Sequence, residues 1–490
     1  MSLHPDYEAV IGLEVHAQLL TESKVFCSCS TAFGEAPNTN VCPICLGHPG
    51  VLPVLNEKAV EFALRMGLAT HCRIAPRSWF ARKNYFYPDL PKGYQISQYE
   101  TPLCSEGWVE IELEDGTRKR IGIVRIHLEE DAGKSLHDQD PYHTLVDLNR
   151  CGVPLIEIVS APDLRSPQEA VAYLMKIRQL VRYLGICDGN MEEGSLRCDA
   201  NVSVRRRGEE RLGTKTEIKN MNSFRFVERA LAYEIERQIR LLEAGLPVVQ
   251  QTLLWDAFRM ETRPMRTKEQ AHDYRYFPEP DLVPIRVTED VLEAVRRTLP
   301  EMPEQRRERF MAQYGLPEYD ARILTETREL ADYYEATVAH TKNYKAASNW
   351  IMTQVLRVLN ERSMPITAFP IEPERLAGLI ALRDRDVLSS SAAQRIFEVM
   401  LEDRRDPETL ARELNLLQVS DDAAIEPLVE AVLDEHPAEV QAYLRGKTGL
   451  LGFFIGQVMR ASQGKANPQR TRELVLRKLQ ARAEIDGSAA

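Results

Sequence analysis

Hydrophobic and polar positions alternate with period two in several stretches of the first 290 residues. Ile11, Leu13, Val15, Ala17 and Leu19 interleave with Gly12, Glu14, His16 and Gln18. That pattern predicts a strand with one apolar and one polar face. Over 121–130, Val124, Ile126 and Leu128 share one face and Arg125, His127 and Glu129 the other. Leu196, Cys198, Ala200, Val202 and Val204 oppose Arg197, Asp199, Asn201 and Ser203, and Lys215, Glu217 and Lys219 share a face of 214–220. The charged, glycine-containing stretch 206–210 predicts a hairpin turn between the last two strands.

A period near 3.6 takes over elsewhere. Ser166-Pro167-Gln168-Glu169 is a capping box with proline at the first helical position, predicting a helix to about Leu184 with Gly185 at its C-cap. A second helix is predicted from Ser223 through Leu242. Strand signals end near Thr288. Residues 320–360 read as amphipathic helix, Met364-Pro365-Ile366 as a linker, and Pro407, Pro427 and Pro437 as helix starts. The expected fold is α+β, an antiparallel-sheet domain over 1–292 followed by all-α segments over 293–407 and 408–490.

At 490 residues the chain exceeds a single core, so two or three domains are expected. No segment approaches the roughly 20 apolar residues of a membrane span, and no basic-then-apolar leader opens the sequence. Nine cysteines, five of them scattered singly, are not a disulfide framework and fit a reducing, cytoplasmic setting. A net charge of −11 argues against a generic nucleic-acid binder. Residues 441–490, however, carry nine Lys/Arg against three Asp/Glu. A basic tail on an acidic body fits a polyanion docked at one end, or a solvated helix face.

Four cysteines fall in two close pairs, Cys27/Cys29 and Cys42/Cys45. Four soft ligands suit a closed tetrahedral zinc site, and Pro43 and Gly47 supply tight turns for the loop. Four buried, unliganded thiols are the alternative. The role would be structural, clamping 34–40, since no coordination position stays open.

The polar strand faces carry Glu14 and His16, His127 and Glu129, Asp199, and Glu217. Converging carboxylates raise one another's pKa, and a hard divalent cation such as magnesium resolves the conflict. Arg125, Lys134, Arg197, Lys215 and Lys219 would suit phosphate. For any one strand, a solvated face with surface ion pairs is the alternative. Ala132-Gly133-Lys134-Ser135 mimics the end of a phosphate loop, but Leu128 stands where the motif needs glycine, so ATP use would proceed without a P-loop.

The runs 7–16, 85–98, 127–134, 194–203, 215–220, Asp273–Leu282 and 456–468, with the cysteine loop through Asn56, resemble the B component of the Gat-type tRNA-dependent amidotransferases. The resemblance covers nearly the whole chain. It implies an N-terminal cradle related to the glutamine synthetase fold and a tRNA-binding tail. It also implies two partners, an amidase (glutaminase) subunit and a small third subunit, in a heterotrimer. The implied activity uses ATP and Mg²⁺ to phosphorylate the side-chain carboxylate of Asp or Glu misacylated onto tRNA(Asn) or tRNA(Gln). Ammonia released from glutamine then displaces phosphate. Carried over, Glu14, His16, Glu129, Glu130 and Glu217 match the metal site, with Asp199 beside them.

Lys215, Lys219 and Arg197 are the candidates for stabilising phosphate charge. Tyr85 and Tyr87 are candidates for stacking on the terminal adenine of tRNA, with core packing as the alternative. Lys465, Arg470 and Arg472 are candidates for the tRNA backbone. Two other readings compete: a zinc-stabilised RNA-binding scaffold without chemistry, and a free-standing ligase acting on free glutamate.

Overall fold

The computed structural model describes residues 4–137, 139–267, 274–418, 421–462 and 464–487. Asp273 of the Asp273–Leu282 run lies outside them. The chain divides into two compact units, Met1–Pro303 and Glu304–Ala490.

The first unit contains sixteen strands among its described residues. They are β1 (Tyr7–Gln18), β2 (Arg73–Ile74), β3 (Arg77–Ser78), β4 (Ala81–Asn84), β5 (Tyr94–Ser97), β6 (Cys104–Glu112), β7 (Arg118–Glu130) and β8 (Lys134–Leu136). The rest are β9 (Leu145–Asp147), β10 (Pro154–Ser160), β11 (Leu196–Arg206), β12 (Thr216–Lys219), β13 (Gln251–Asp256), β14 (Glu261–Thr267), β15 (Phe277–Pro278) and β16 (Ile285–Arg286). Helices α1 (Glu57–Ala69), α2 (Pro167–Tyr183), α3 (Phe224–Glu243) and α4 (Glu289–Thr298) complete it.

Nine strands form one sheet in the order β14-β13-β12-β11-β1-β10-β7-β6-β2. The expected antiparallel sheet holds with one exception, the parallel pair β12/β13. The connection between those two strands contains α3, and a helical crossover is what parallel neighbours require. Ile11, Leu13, Val15 and Ala17 of β1, Ile156 and Ile158 of β10, and Ala200 and Val202 of β11 are fully buried in one core. Each Val, Leu or Ile among them contributes about 1.5–3 kcal/mol, and each alanine about 0.8 kcal/mol. A one-residue slip would turn every one of them out, so burial pins the register that sets the polar face opposite. A small sheet, β15-β4-β5, reaches that polar face through the Ser97 hydroxyl on Glu129.

Both predicted helices form. The Ser166 and Ser223 side chains accept from the N–H groups of Glu169 and Phe226, and Gly185 takes φ +65° past the end of α2. The predicted hairpin at 206–210 does not close tightly. Gly208 turns at φ +84°, but the return strand pairs only from Thr216, opposite Val202, so the connection is a longer loop.

The second unit is helical: α5 (Pro303–Tyr314), α6 (Glu318–Leu324), α7 (Arg328–Val338), α8 (Tyr344–Trp350), α9 (Leu356–Arg362) and α10 (Pro373–Asp384). There follow α11 (Ser390–Met400), α12 (Pro407–Glu413), α13 (Asp422–Glu435), α14 (Pro437–Leu444), α15 (Leu451–Ala461) and α16 (Pro468–Gly487). The amphipathic stretch 320–360 is several helices, because Thr327 and Asn343 cap new starts inside it. The 364–366 stretch is no linker, since Met364 and Ile366 pack on the same apolar cluster that runs from Phe310 to Ala411. A second cluster spans Ile425 to Leu479. Pro407 and Pro437 start helices, whereas Pro427 lies inside α13, where Asp421 supplies the cap instead.

Candidate active site and zinc cluster

The polar face of the large sheet is continuous across five adjacent strands. Register places Glu217 opposite Asn201, Glu14 opposite Asp199, His16 opposite both Arg197 and Glu157, and Glu157 opposite His127. Glu129 follows two residues after His127 on the same face. Sequence periodicity thus becomes a row of acids and imidazoles.

Two groups of possible ligand atoms emerge, each closing within 4.8 Å: His16, Glu129 and Glu157; and Glu14, Asp199 and Glu217. His16 Nε2 lies 3.7 Å from Glu129 and 3.5 Å from Glu157, and His127 Nε2 lies 3.4 Å from Glu157. In the other group, Asn201 donates to Glu14 at 2.9 Å and Thr252 to Glu217 at 3.0 Å. The Lys219 ammonium bonds Asp199 and lies 3.2 Å from Glu217.

The electrostatics are those of a crowded anionic site. Burial first, then the Glu157 charge, raises the Glu129 and Glu14 carboxyls. Burial works against protonated His16, but the Glu157 hydrogen bond and the surrounding carboxylates push it up to about 9. Burial also opposes ionised Glu157, yet His127 and His16 overcome it and hold that carboxyl well below the usual range. Hard oxygen donors, one imidazole and more carboxylates than cations fit a divalent cation of the magnesium class.

The structure does not bring Glu130 to this face. Successive strand residues point opposite ways, and the Glu130 carboxylate instead bonds buried Lys92 and the Ile96 N–H at 2.9 Å. Arg197 pairs with Asp131 at 2.8 Å, and exposed Lys215 precedes β12. Tyr85 donates its hydroxyl to Gln95 at 3.2 Å and meets Tyr87 and Tyr274 edge-on, while Tyr87 is half exposed. In the tail, Arg470 pairs with Asp422 and Glu473, Arg472 is exposed and Lys465 half-buried. Arg477, Lys478 and Arg482 also face acids of α13.

Two site residues escape a reading of the sequence. Glu157 is the lone acid in the otherwise apolar stretch 154–159, and that is the available signal: a carboxylate buried there needs a partner. Lys83 lies over the Tyr274 ring at 4.8 Å, and Glu129 and Glu157 help push its pKa up against the opposing effect of burial. Nothing in the charge pattern marks it.

The cysteines do converge. Cys27, Cys29, Cys42 and Cys45 place their sulfurs within 4.8 Å of one another, and Cys42 and Cys45 stand 3.9 Å apart. Tetrahedral zinc–sulfur bonds of about 2.3 Å imply sulfur separations of about 3.8 Å. The Cys42 N–H donates to Cys45 sulfur at 3.2 Å, and fully buried Lys24 lies 3.7 Å from it. The Cys27 hydrogen bond is the main cause that lowers Cys45 to about 4; burial pushes Cys29 up to about 11. Gly47, at φ +69°, has no room for a side chain, since a Cβ would meet Lys92 Cγ at 2.4 Å. The donor set fits zinc.

The family described as "GatB/GatE catalytic domain" matches residues 9–293, and that described as "GatB domain" matches 332–479. The chain belongs to the GatB/GatE family. Its relatives include proteins named as the B component of an aspartyl/glutamyl-tRNA(Asn/Gln) amidotransferase. The one from Thermodesulfovibrio yellowstonii is 56% identical over 96% of this chain and 99% of its own length. Those from Pelodictyon phaeoclathratiforme and Salinibacter ruber are 58% and 57% identical, covering 97% and 98% of this chain and 99% and 98% of theirs. The GatB/GatE catalytic match takes in both carboxylate groups and the cysteines; the GatB-domain match takes in most of the basic tail. Among the described residues, no helix is long and apolar enough to cross a membrane.

Proposed function

We propose that this chain is the activating subunit of a tRNA-dependent amidotransferase. It would transfer the γ-phosphoryl of ATP to the side-chain carboxylate of Asp on tRNA(Asn) or Glu on tRNA(Gln). The carboxylate oxygen attacks phosphorus and ADP leaves; ammonia then attacks the acyl carbon, and phosphate leaves with the carboxylate oxygen. The observation that carries this reading is the row of five strands aiming two carboxylate groups at one face.

His16, Glu129 and Glu157, with Glu14, Asp199 and Glu217, would hold Mg²⁺. Bound there, magnesium supplies charge neutralisation and orientation for the phosphates. Lys219, placed between Asp199 and Glu217, keeps the second group from carrying three uncompensated charges. Cys27, Cys29, Cys42 and Cys45 would hold a structural zinc, with Lys24 offsetting thiolate charge. Ammonia would come from an amidase partner, with a small third subunit completing the assembly. We assign residues 1–292 to catalysis, 293–407 to a connecting helical part and 408–490 to tRNA docking, with exposed Arg472 on its contact face.

In the reconstituted complex, Glu129→Gln and His16→Ala should abolish tRNA-dependent ATP hydrolysis while tRNA binding persists. Normal hydrolysis in both removes the assignment.

A further inference from the structure

The cysteine loop holds more than its own sulfurs. No helix or strand forms over 31–56, so side chains must fix that stretch. Asn38 takes φ +61°, a left-handed turn that asparagine tolerates. From there its side-chain oxygen accepts from the Leu148 N–H at 2.8 Å, and its amide donates to the Val146 carbonyl at 3.0 Å. Asn149 reaches back the other way, accepting from the Asn40 N–H at 2.8 Å and donating to the Ala36 carbonyl at 2.7 Å. The ammonium of buried Lys24, beside the Cys45 sulfur, donates to the Asn40 carbonyl at 2.6 Å. The Cys151 thiol donates to the Cys45 carbonyl at 3.4 Å. Residues 146–151 are thus fastened to the cysteine loop at both ends.

The same stretch grips the chain where it leaves the carboxylate row. Asp131, two residues after Glu129, donates its N–H to the Val153 carbonyl and accepts from the Gly152 N–H, each at 2.9 Å. Arg150 donates to the carbonyls of Ala132 and Gly133 at 3.0 and 2.6 Å. A Cβ on Gly133 would lie 2.8 Å from Leu148 Cδ2 and 3.0 Å from the Asp147 carbonyl oxygen, so the two segments pack without a gap. Beyond them β8 and β9 pair from Lys134 with Asp147 to Leu136 with Leu145, as a two-stranded sheet of their own. Three residues a side make a hairpin that is marginal in water, so its position needs an outside hold.

We propose that the cysteine cluster supplies that hold: metal bound there fixes 131–136 at the edge of the carboxylate row, and Asn38 and Asn149 carry the link. Both are positioning residues, acting through the backbone of the stretches they join. Loss of the metal frees 34–40, the asparagine bonds open, and 145–149 and 133–136 loosen together while the rest of the large sheet stays paired. The inference rests on the reading of the four cysteines as a zinc site.

The test uses the full chain in the reconstituted complex, as isolated and after a chelator has removed zinc and Mg²⁺ has been restored. Elemental analysis reads the zinc, and amide hydrogen exchange reads 133–136 and 145–149. Asn38→Gly keeps the left-handed turn and removes two side-chain bonds. Two neutral hydrogen bonds are worth a factor of about 5 to 150 in an opening equilibrium. Asn38→Gly should therefore retain its zinc yet exchange faster by that factor over both stretches. Zinc removal should speed the same amides in wild type, and have a smaller effect in Asn38→Gly combined with Asn149→Ala, where the link is already cut. Equal acceleration in the two proteins means that zinc acts by another route and overturns the proposal. Unchanged exchange in zinc-free wild type overturns it, as does a rise that extends through α2 and α3, which reports unfolding of the whole unit. A wild-type chain isolated without zinc removes the metal reading itself, and this link with it.

Discussion

Lys92→Met probes how a strand sends two adjacent acids to opposite fates. Lys92 and Glu130 form an ion pair whose side chains are 7% and 3% exposed. Methionine keeps the aliphatic stem and removes the charge, leaving Glu130 with only the Ile96 N–H. Breaking a buried pair from one side costs about 3–5 kcal/mol, against about 0–1 kcal/mol for a surface pair. For the unit Met1–Pro303, an unfolding entropy of about 2.1 cal/mol/K per residue gives about 1.6 °C per kcal/mol, so the melting temperature should fall by about 5–8 °C. The double change Lys92→Met with Glu130→Met removes both charges and should recover most of that loss. Since Glu130 faces away from the carboxylate row, the double variant should keep tRNA-dependent ATP hydrolysis below its melting range. Calorimetry and the hydrolysis assay read the two outcomes. Wild-type stability in Lys92→Met refutes the buried-pair argument. Loss of hydrolysis in the double variant to the level of Glu129→Gln returns Glu130 to the metal site that the family resemblance implies.

Elemental analysis should find one zinc per chain, and Cys45→Ser should lose it and expose the 34–40 loop to protease; full-length chain without zinc contradicts this. Burial opposes ionised Glu335, but Arg309 and Arg306 outweigh it and hold its carboxyl below the usual range. Its stabilising contribution is thus complete above the unfolded pKa of about 4.3 and disappears as pH falls through the lower folded value. Acid unfolding of Glu335→Gln should show a shallower pH dependence than wild type in that window; identical curves refute it. Removing 421–490, which leaves the Phe310–Ala411 cluster intact, should weaken tRNA affinity while the catalytic step survives at saturating tRNA, whereas a pure RNA scaffold would lose all function. Arg472→Ala should lower the salt slope of tRNA binding by about 1.

Much of this site is legible in the sequence because its signal is local. Alternation in 11–19 and 196–204 reports both faces of β1 and β11, and cysteine spacing reports the cluster. The serine caps of α2 and α3 are equally explicit. What stays hidden depends on partners distant in sequence. Glu157 looks like a blemish in an apolar strand until His16 and His127 are seen flanking it. Glu130 looks like Glu129's twin until the pleat turns it to Lys92. The 320–360 run reads as one helix because the apolar period continues past caps whose choice depends on packing. The asparagine link joins Asn38 and Asn40 to 146–149, and no window of sequence spans that.

The central claim is that ATP phosphorylates the tRNA-bound carboxylate on the five-strand acidic face, and oxygen transfer tests it most directly. Misacylated tRNA carrying ¹⁸O in the side-chain carboxylate is incubated with ATP, glutamine and the reconstituted complex. The released phosphate should carry one ¹⁸O per amide formed, and Glu157→Gln should release none. Unlabelled phosphate alongside amide formation, or undiminished transfer in Glu157→Gln, would contradict it.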